Sequence, residues 1–154
     1  MKVEYADLTD FDEWISLARE VEPLFGPMAD EVPFQEALKQ AMAQKTAFCI
    51  RSGSDGKERA LKGGIIISEE LNEILWFAVS NPCRGKGYGR TLLDFAVSGL
   101  NRTKPILVQT FDASSPDGRA ARKLYLDFGF LDNKDGGLNP AGIPTVIMRL
   151  SPPS

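Results

Sequence analysis

The sequence predicts an α/β protein, a central mixed β-sheet flanked by about four helices. Three observations lead there. Apolar stripes at helical spacing alternate with short runs rich in β-branched and aromatic residues. Two of those runs, 74–80 and 105–111, are joined by one helical segment, which makes them parallel neighbours. A single glycine-rich stretch, Arg84–Arg90, links the first of these runs to that helix. The expected order is strand, two helices, three strands, helix, strand, helix and a closing strand or strands. One domain is expected over residues 1–150, with a frayed tail at 151–154.

Taken in order, Val3–Ala6 reads as a short strand. Phe11, Trp14, Ile15, Ala18 and Val21 form a helical stripe after Thr9-Asp10, and Glu13 is placed to complete a capping box on Asp10. Pro23, Gly26 and Pro27 break the stripe. Pro33 opens a second helix with Phe34, Ala37, Leu38, Ala41 and Met42 on one face. Ala47–Arg51 and Gly64–Ser68 read as a hairpin whose polar loop carries Gly53 and Asp55-Gly56. Ile74–Ser80 is a third strand, stopped by Asn81-Pro82, and Leu92, Leu93, Ala96, Val97 and Leu100 mark the third helix. After the strand Pro105–Phe111, Ser115-Pro116-Asp117 offers an N-cap and an N1 proline to a last helix. That helix turns Ala120, Ala121, Leu124, Tyr125 and Phe128 inward and stops at Gly129. Asp135–Pro144 reads as a loop, and Thr145–Leu150 as the closing strand.

Composition narrows the function. A chain of 154 residues, 43% apolar, can bury a sizeable core without disulfides or metals. The net charge of -3 leaves no basic footprint, so no nucleic acid is expected as a partner. The chain has no histidine, and its two cysteines, Cys49 and Cys83, are far apart, so no metal is expected. The N-terminus lacks an apolar signal core, and no apolar run approaches the roughly 20 residues that span a bilayer. No membrane partner is expected, and a soluble, reducing, cytoplasmic setting follows. Oligomeric state is open, and a homodimer is compatible with the sequence.

The segment Arg84-Gly85-Lys86-Gly87-Tyr88-Gly89-Arg90 carries the chemistry. It lies between a strand and a helix, so the helix's unpaired N–H groups and positive dipole end face whatever enters the turn. Glycines let the backbone approach phosphate oxygens, and Arg84, Lys86 and Arg90 supply positive charge. A Walker loop would need Gly-Lys-Ser/Thr, which does not occur, and the dinucleotide fingerprint needs a different glycine spacing. The pattern Arg-x-x-Gly-x-Gly at Arg84, Gly87 and Gly89 instead resembles the pyrophosphate loop of GNAT N-acetyltransferases. The element order matches that fold over almost the whole chain, and Ala121–Phe130 looks like the family's second motif.

The resemblance implies acetyl-coenzyme A as co-substrate, its pyrophosphate on Arg84, Gly85, Lys86, Gly87, Tyr88, Gly89 and Arg90. Its pantetheine arm would lie between strands 74–80 and 105–111 and pair with backbone around Phe77 and Val79. Tyr125 matches the tyrosine that reaches the thioester sulfur, and Glu73 resembles, by spacing, the catalytic glutamate of the histone-lysine branch. Relatives often carry an asparagine seven residues before the tyrosine. Here that position is Gly118, which leaves Asp117 or Ser115 to cap the helix.

Acylation needs a neutral amine, and without histidine a general base must be a carboxylate, a tyrosine or a water chain. Glu69 and Glu70 read as ordinary surface charges. Cys83 has no histidine to activate it, so direct transfer to the amine is expected rather than an acyl-cysteine. Glu20, Glu22, Asp30 and Glu31, around the first two helices, either attract a cationic acceptor or form a solvated acidic loop. The acceptor is a small-molecule or peptide amine. A module of the same fold that binds acyl-coenzyme A without chemistry, as sensor or scaffold, is the alternative function.

Overall fold

A computed structural model describes residues 2–53 and 60–153, the side chain of Asp117 excepted. Asp55 and Gly56, expected in the hairpin loop, lie outside the described residues. The strands are β1 (Glu4–Tyr5), β2 (Ala47–Arg51), β3 (Leu61–Ser68), β4 (Glu73–Val79), β5 (Ile106–Phe111), β6 (Leu131–Leu138) and β7 (Pro144–Leu150). They form one seven-stranded mixed sheet, in the order β1-β2-β3-β4-β5-β7-β6. The four helices are α1 (Phe11–Phe25), α2 (Val32–Gln44), α3 (Tyr88–Ser98) and α4 (Arg119–Phe128). Among the described residues only β4 and β5 run parallel, with α3 as their crossover.

Strands β2 and β3 are buried on both faces, which is why they are almost wholly apolar. Successive side chains of a strand point to opposite faces. Thus Ala47 and Cys49 of β2 join Trp14, Ala18, Leu38 and Met42 of α1 and α2 in one core. Phe48 and Ile50 join Leu92, Leu93 and Ala96 of α3 and Tyr125 of α4 in the other. Burial pushes the Cys49 thiol up to about 12, so it packs as a neutral apolar group.

Four local expectations differ from the structure. The capping box closes one turn early: the Asp7 carboxylate accepts from the Thr9 N–H and the Asp10 carboxylate from the Asp7 N–H. Asp10 is drawn there by Arg51, whose Nε and Nη2 donate to its two oxygens at 2.9 and 2.6 Å, so this fully buried carboxylate is paired rather than capping α1. Helix α1 runs through Pro23 to Phe25 and ends at Gly26. Ser115 makes no side-chain cap; Pro116–Gly118 form a single 3-10 turn, and α4 begins at Arg119. Finally, β6 occupies much of the expected loop, pairing with β7 from Leu131 to Leu138.

What positions the site is an irregularity in β4. Trp76 pairs with Ile66 and Ile74 with Ile67, so Leu75 is an extra residue on β4. Such a bulge bends its strand and sharpens the local twist. Pairing between β4 and β5 is accordingly confined to Glu73↔Leu107 and Ile74↔Val108, and the strands part beyond it.

Candidate active site

The parting of β4 and β5 opens a cleft of about 620 Å3. Its walls come from Leu75–Val79 of β4, Val108–Phe111 of β5, the glycine loop, Leu124 and Tyr125 of α4, the end of α1 and the tip of the β6–β7 hairpin. The N–H of Ser80 donates to Lys62 O on β3 at 2.8 Å. By strand alternation the main-chain groups of Val79 and Phe77 face the other way, into the gap. In keeping with this, Val79 O accepts from Arg84 Nε at 3.3 Å.

The loop closes one end of the cleft. Gly85 and Gly87 have φ of 76° and 90°, left-handed torsions that L side chains avoid, and Gly87 with ψ of 0° is the N-cap of α3. A Cβ built on Gly85 meets nothing within 4 Å, so the loop leaves room in front of its backbone. That room, the helix N-terminus behind it and Arg84 and Arg90 at its rim together fit a pyrophosphate. Arg90 also lies 5.3 Å from the Phe128 ring centroid, and Lys62 Nζ donates to Tyr88 Oη at 2.8 Å. Among the residues expected to hold the co-substrate, Phe77, Val79, Arg84, Gly85, Gly87, Tyr88, Gly89 and Arg90 border the cleft; Lys86 is exposed beside it.

Tyr125 reaches the cleft from α4, with its ring edge-on to Phe77 and Phe130 at centroid distances of 6.2 and 5.5 Å. It is 3% exposed, and burial alone pushes its phenol upward, so it keeps its proton through the neutral range. Glu73 stands elsewhere, at the foot of β4 where the strands are still paired, and does not border the cleft. Cys83 borders the loop end and is half-buried.

Three of the acidic residues around α1 are engaged locally. Glu20 accepts from the Asn81 N–H at 2.5 Å and from the Ser80 hydroxyl, tying α1 to the start of the glycine loop. Glu22 accepts from the N–H groups of Met28 and Ala29, which hold its carboxyl below the usual range. Asp30 pairs with Arg19 at 2.7 Å, and Glu31 is exposed.

Two parts of the wall carry no motif. Leu24 and Phe25 end α1, and Leu138–Pro140 form the hairpin tip; Asn139 Nδ2 donates to Leu24 O at 2.8 Å and joins them. Their signals in sequence, Phe25-Gly26-Pro27 and Asn139-Pro140, read only as turns. Gly118 has a steric reason: a Cβ there would stand 2.3 Å from Phe111 Cβ. Gly118→Ala is therefore expected to lower stability by about 1–3 kcal/mol, the range for forced overpacking. It should also disturb Phe111 in the cleft wall. Urea unfolding checks the first effect, and an unchanged midpoint would show that the turn can move aside.

Among the described residues no group of His, Cys, Asp or Glu is placed to hold a metal, and no helix is long and apolar enough to cross a membrane. An acetyltransferase (GNAT) domain model matches residues 45–131. No curated protein matches the chain by sequence. Solved structures share the fold at low identity. An acetyltransferase of the GNAT family from Bacillus cereus ATCC 10987 superposes with a TM-score of 0.73 at 15% identity, over 99% of this chain and 98% of that one. The ribosomal-protein-S18-alanine N-acetyltransferase from Escherichia coli gives 0.69 at 16% identity, over 99% and 96%. Arabidopsis thaliana NAA60 in complex with acetyl-CoA gives 0.69 at 14%, over 97% of each chain.

Proposed function

The chain belongs to the GNAT acetyltransferase family, and from that premise we propose that it moves an acetyl group from acetyl-coenzyme A to a primary amine, the amine attacking the thioester carbon directly while both substrates occupy the cleft. The observation that carries this reading is the parting of β4 from β5 beside the glycine loop, which turns a strand edge and a helix N-terminus into one channel. The edge suits the amides of a pantetheine arm, and the loop suits its pyrophosphate. The complex of the Arabidopsis protein with acetyl-CoA supports the same co-substrate here.

In this reading residues 1–150 act as one catalytic unit. The segment 84–90 holds the pyrophosphate, and the main chain of Phe77 and Val79 aligns the arm. A carbon–nitrogen bond forms as the carbon–sulfur bond breaks. Tyr125 gives its proton to the departing thiolate, and the proton that the amine gives up returns through water to the phenolate. Glu73 does not border the cleft, so a proton reaches it only through water. Glu73→Gln is accordingly expected to slow turnover by less than about tenfold at any pH, below the usual contribution of a general base. A loss concentrated at neutral pH that recovers as pH rises would make Glu73 the base.

Thiol release from acetyl-coenzyme A with a mixed panel of primary amines tests the reaction. Amine-dependent release is the expected result. Thermal stabilisation by acetyl-coenzyme A with no release under any amine would make the chain a non-catalytic acyl-coenzyme A sensor or scaffold.

A further inference from the structure

We infer that the acceptor is an α-amino group beside an apolar side chain, not a lysine ε-amine or a polyamine. The inference rests on the transfer reaction proposed above and specifies its acceptor. It starts from the charges of the cleft. Among the described residues no aspartate or glutamate lines it, and its two cationic side chains, Arg84 and Arg90, border the loop end. Of the carboxylates of α1 and the following turn, Glu20 and Glu22 are held by main-chain N–H groups and Asp30 by Arg19, and none of the others lines the cleft. An ammonium entering this cleft loses hydration and gains no counter-ion.

The end of the cleft away from the loop is apolar. Leu24, Phe25, Trp76, Phe111, Leu138 and Pro140 line it. Its two amide side chains are already engaged: Gln109 Nε2 donates to Gly136 O and Thr145 Oγ1, and Asn139 donates to Leu24 O while accepting from the N–H groups of Ala141 and Ile143; the hydroxyl of Thr110 is neutral and offers an ammonium no counter-charge. An apolar side chain next to the reacting amine is stabilised there, and a charged one is not.

The main chain adds a third observation. The N–H of Leu107 is directed to Asn72 O, on the β4 side of β5. Two and four residues further on, by alternation, the main-chain groups of Gln109 and Phe111 face the same side, where β4 has turned away. They offer an edge to an amide or carboxyl group carried two bonds from an α-amine, a group that a polyamine lacks.

Basicity points the same way. With no carboxylate in the cleft to take a proton, the amine must arrive neutral. The α-amine of a peptide N-terminus, with pKa near 8, is about one-tenth neutral at pH 7, whereas a lysine amine near 10.4 is neutral in roughly one molecule in 2,500. The difference favours the α-amine by about 250-fold before any contact is made.

The test is coenzyme A release with leucyl-glycinamide, free leucine, aspartyl-glycinamide, Nα-acetyl-lysinamide and spermidine as acceptors. At pH 7, kcat/KM for leucyl-glycinamide should exceed that for the lysine amide and spermidine by about 100-fold or more. It should also exceed aspartyl-glycinamide by about tenfold or more. Its rate should climb with pH and level off near the acceptor's own pKa. With rates corrected for the neutral fraction of each amine, free leucine matching leucyl-glycinamide would identify a free amino acid as the source of the α-amine, and free leucine far below it a peptide N-terminus. Turnover of the lysine amide or spermidine at a comparable rate overturns the inference and leaves the transfer reaction standing. Thiol release with none of the five acceptors, nor with the mixed amine panel, overturns both.

Discussion

Tyr125→Phe is expected to lower turnover by about 10²-fold or more, the lower end of what general acid catalysis contributes. The substitution deletes one oxygen and keeps the ring, so its edge-on packing against Phe77 and Phe130 should persist. Core packing and proton donation are thereby separated, as they would not be by alanine. Burial holds the phenol protonated, so its O–H is present to meet the thiolate as it departs. Binding of coenzyme A should stay within a small factor, because the loop and the β4 edge are untouched. Steady-state kinetics with a verified acceptor and a binding titration check the two halves. A folded variant that binds and turns over at nearly the native rate would leave water to protonate the sulfur.

Replacing Gly87 by valine should remove most of the stabilisation that acetyl-coenzyme A gives the native protein. The residue holds φ of 90° at the N-cap of α3, a torsion a β-branched side chain adopts only under strain. The substitution therefore turns the N–H groups of the loop away from a common point. With ligand at about 100 times its Kd, stabilisation is about 2.7 kcal/mol, which for a chain of this length corresponds to roughly 5–10 °C in Tm. The variant should retain less than a third of that rise. Valine at this torsion also strains the free protein, so Gly85→Ala is a companion: Gly85 too is left-handed, with φ of 76°, but alanine strains there less than a β-branched residue, and the Tm of each unliganded variant reports the strain separately. The methyl of the alanine meets no protein atom, yet it enters the room proposed for phosphate. Equal shifts in native and both variants would move the co-substrate elsewhere.

The glycine loop and the strands on either side of it were legible because their signals are local and redundant: an apolar run, a stop at Asn81-Pro82, alternate glycines and a helical stripe. Strand β6 was not. Its sequence from Leu131 to Leu138 is polar, lacks β-branched residues and is almost wholly exposed, since this edge strand is held by main-chain pairing and by polar side chains that reach it from elsewhere, Arg122 to Asp132 and Gln109 to Gly136 O, rather than by apolar burial. The capping box was misplaced by one turn because Asp10 has a stronger partner in Arg51, 41 residues away, which no local pattern contains. Likewise, the far wall of the cleft joins Leu24 to Asn139 across 115 residues and leaves only turn signals in the sequence. The bulge at Leu75 has no signature at all, yet it parts the strands.

The strand order has a consequence for how the protein is made. β7 lies between β5 and β6, although it is the last of the three to leave the ribosome. Until residues 144–150 emerge, β5 has an open outer edge and β6 has no strand to pair with. The hairpin tip at Asn139 is anchored to α1 only once that final strand fixes its stem. A nascent chain halted before Pro144 therefore carries a complete glycine loop beside two unsatisfied strand edges, a form open to capture by chaperones or by another copy of itself. Emergence of β7 both seals the sheet and completes the wall of the cleft, so the two are acquired in a single step.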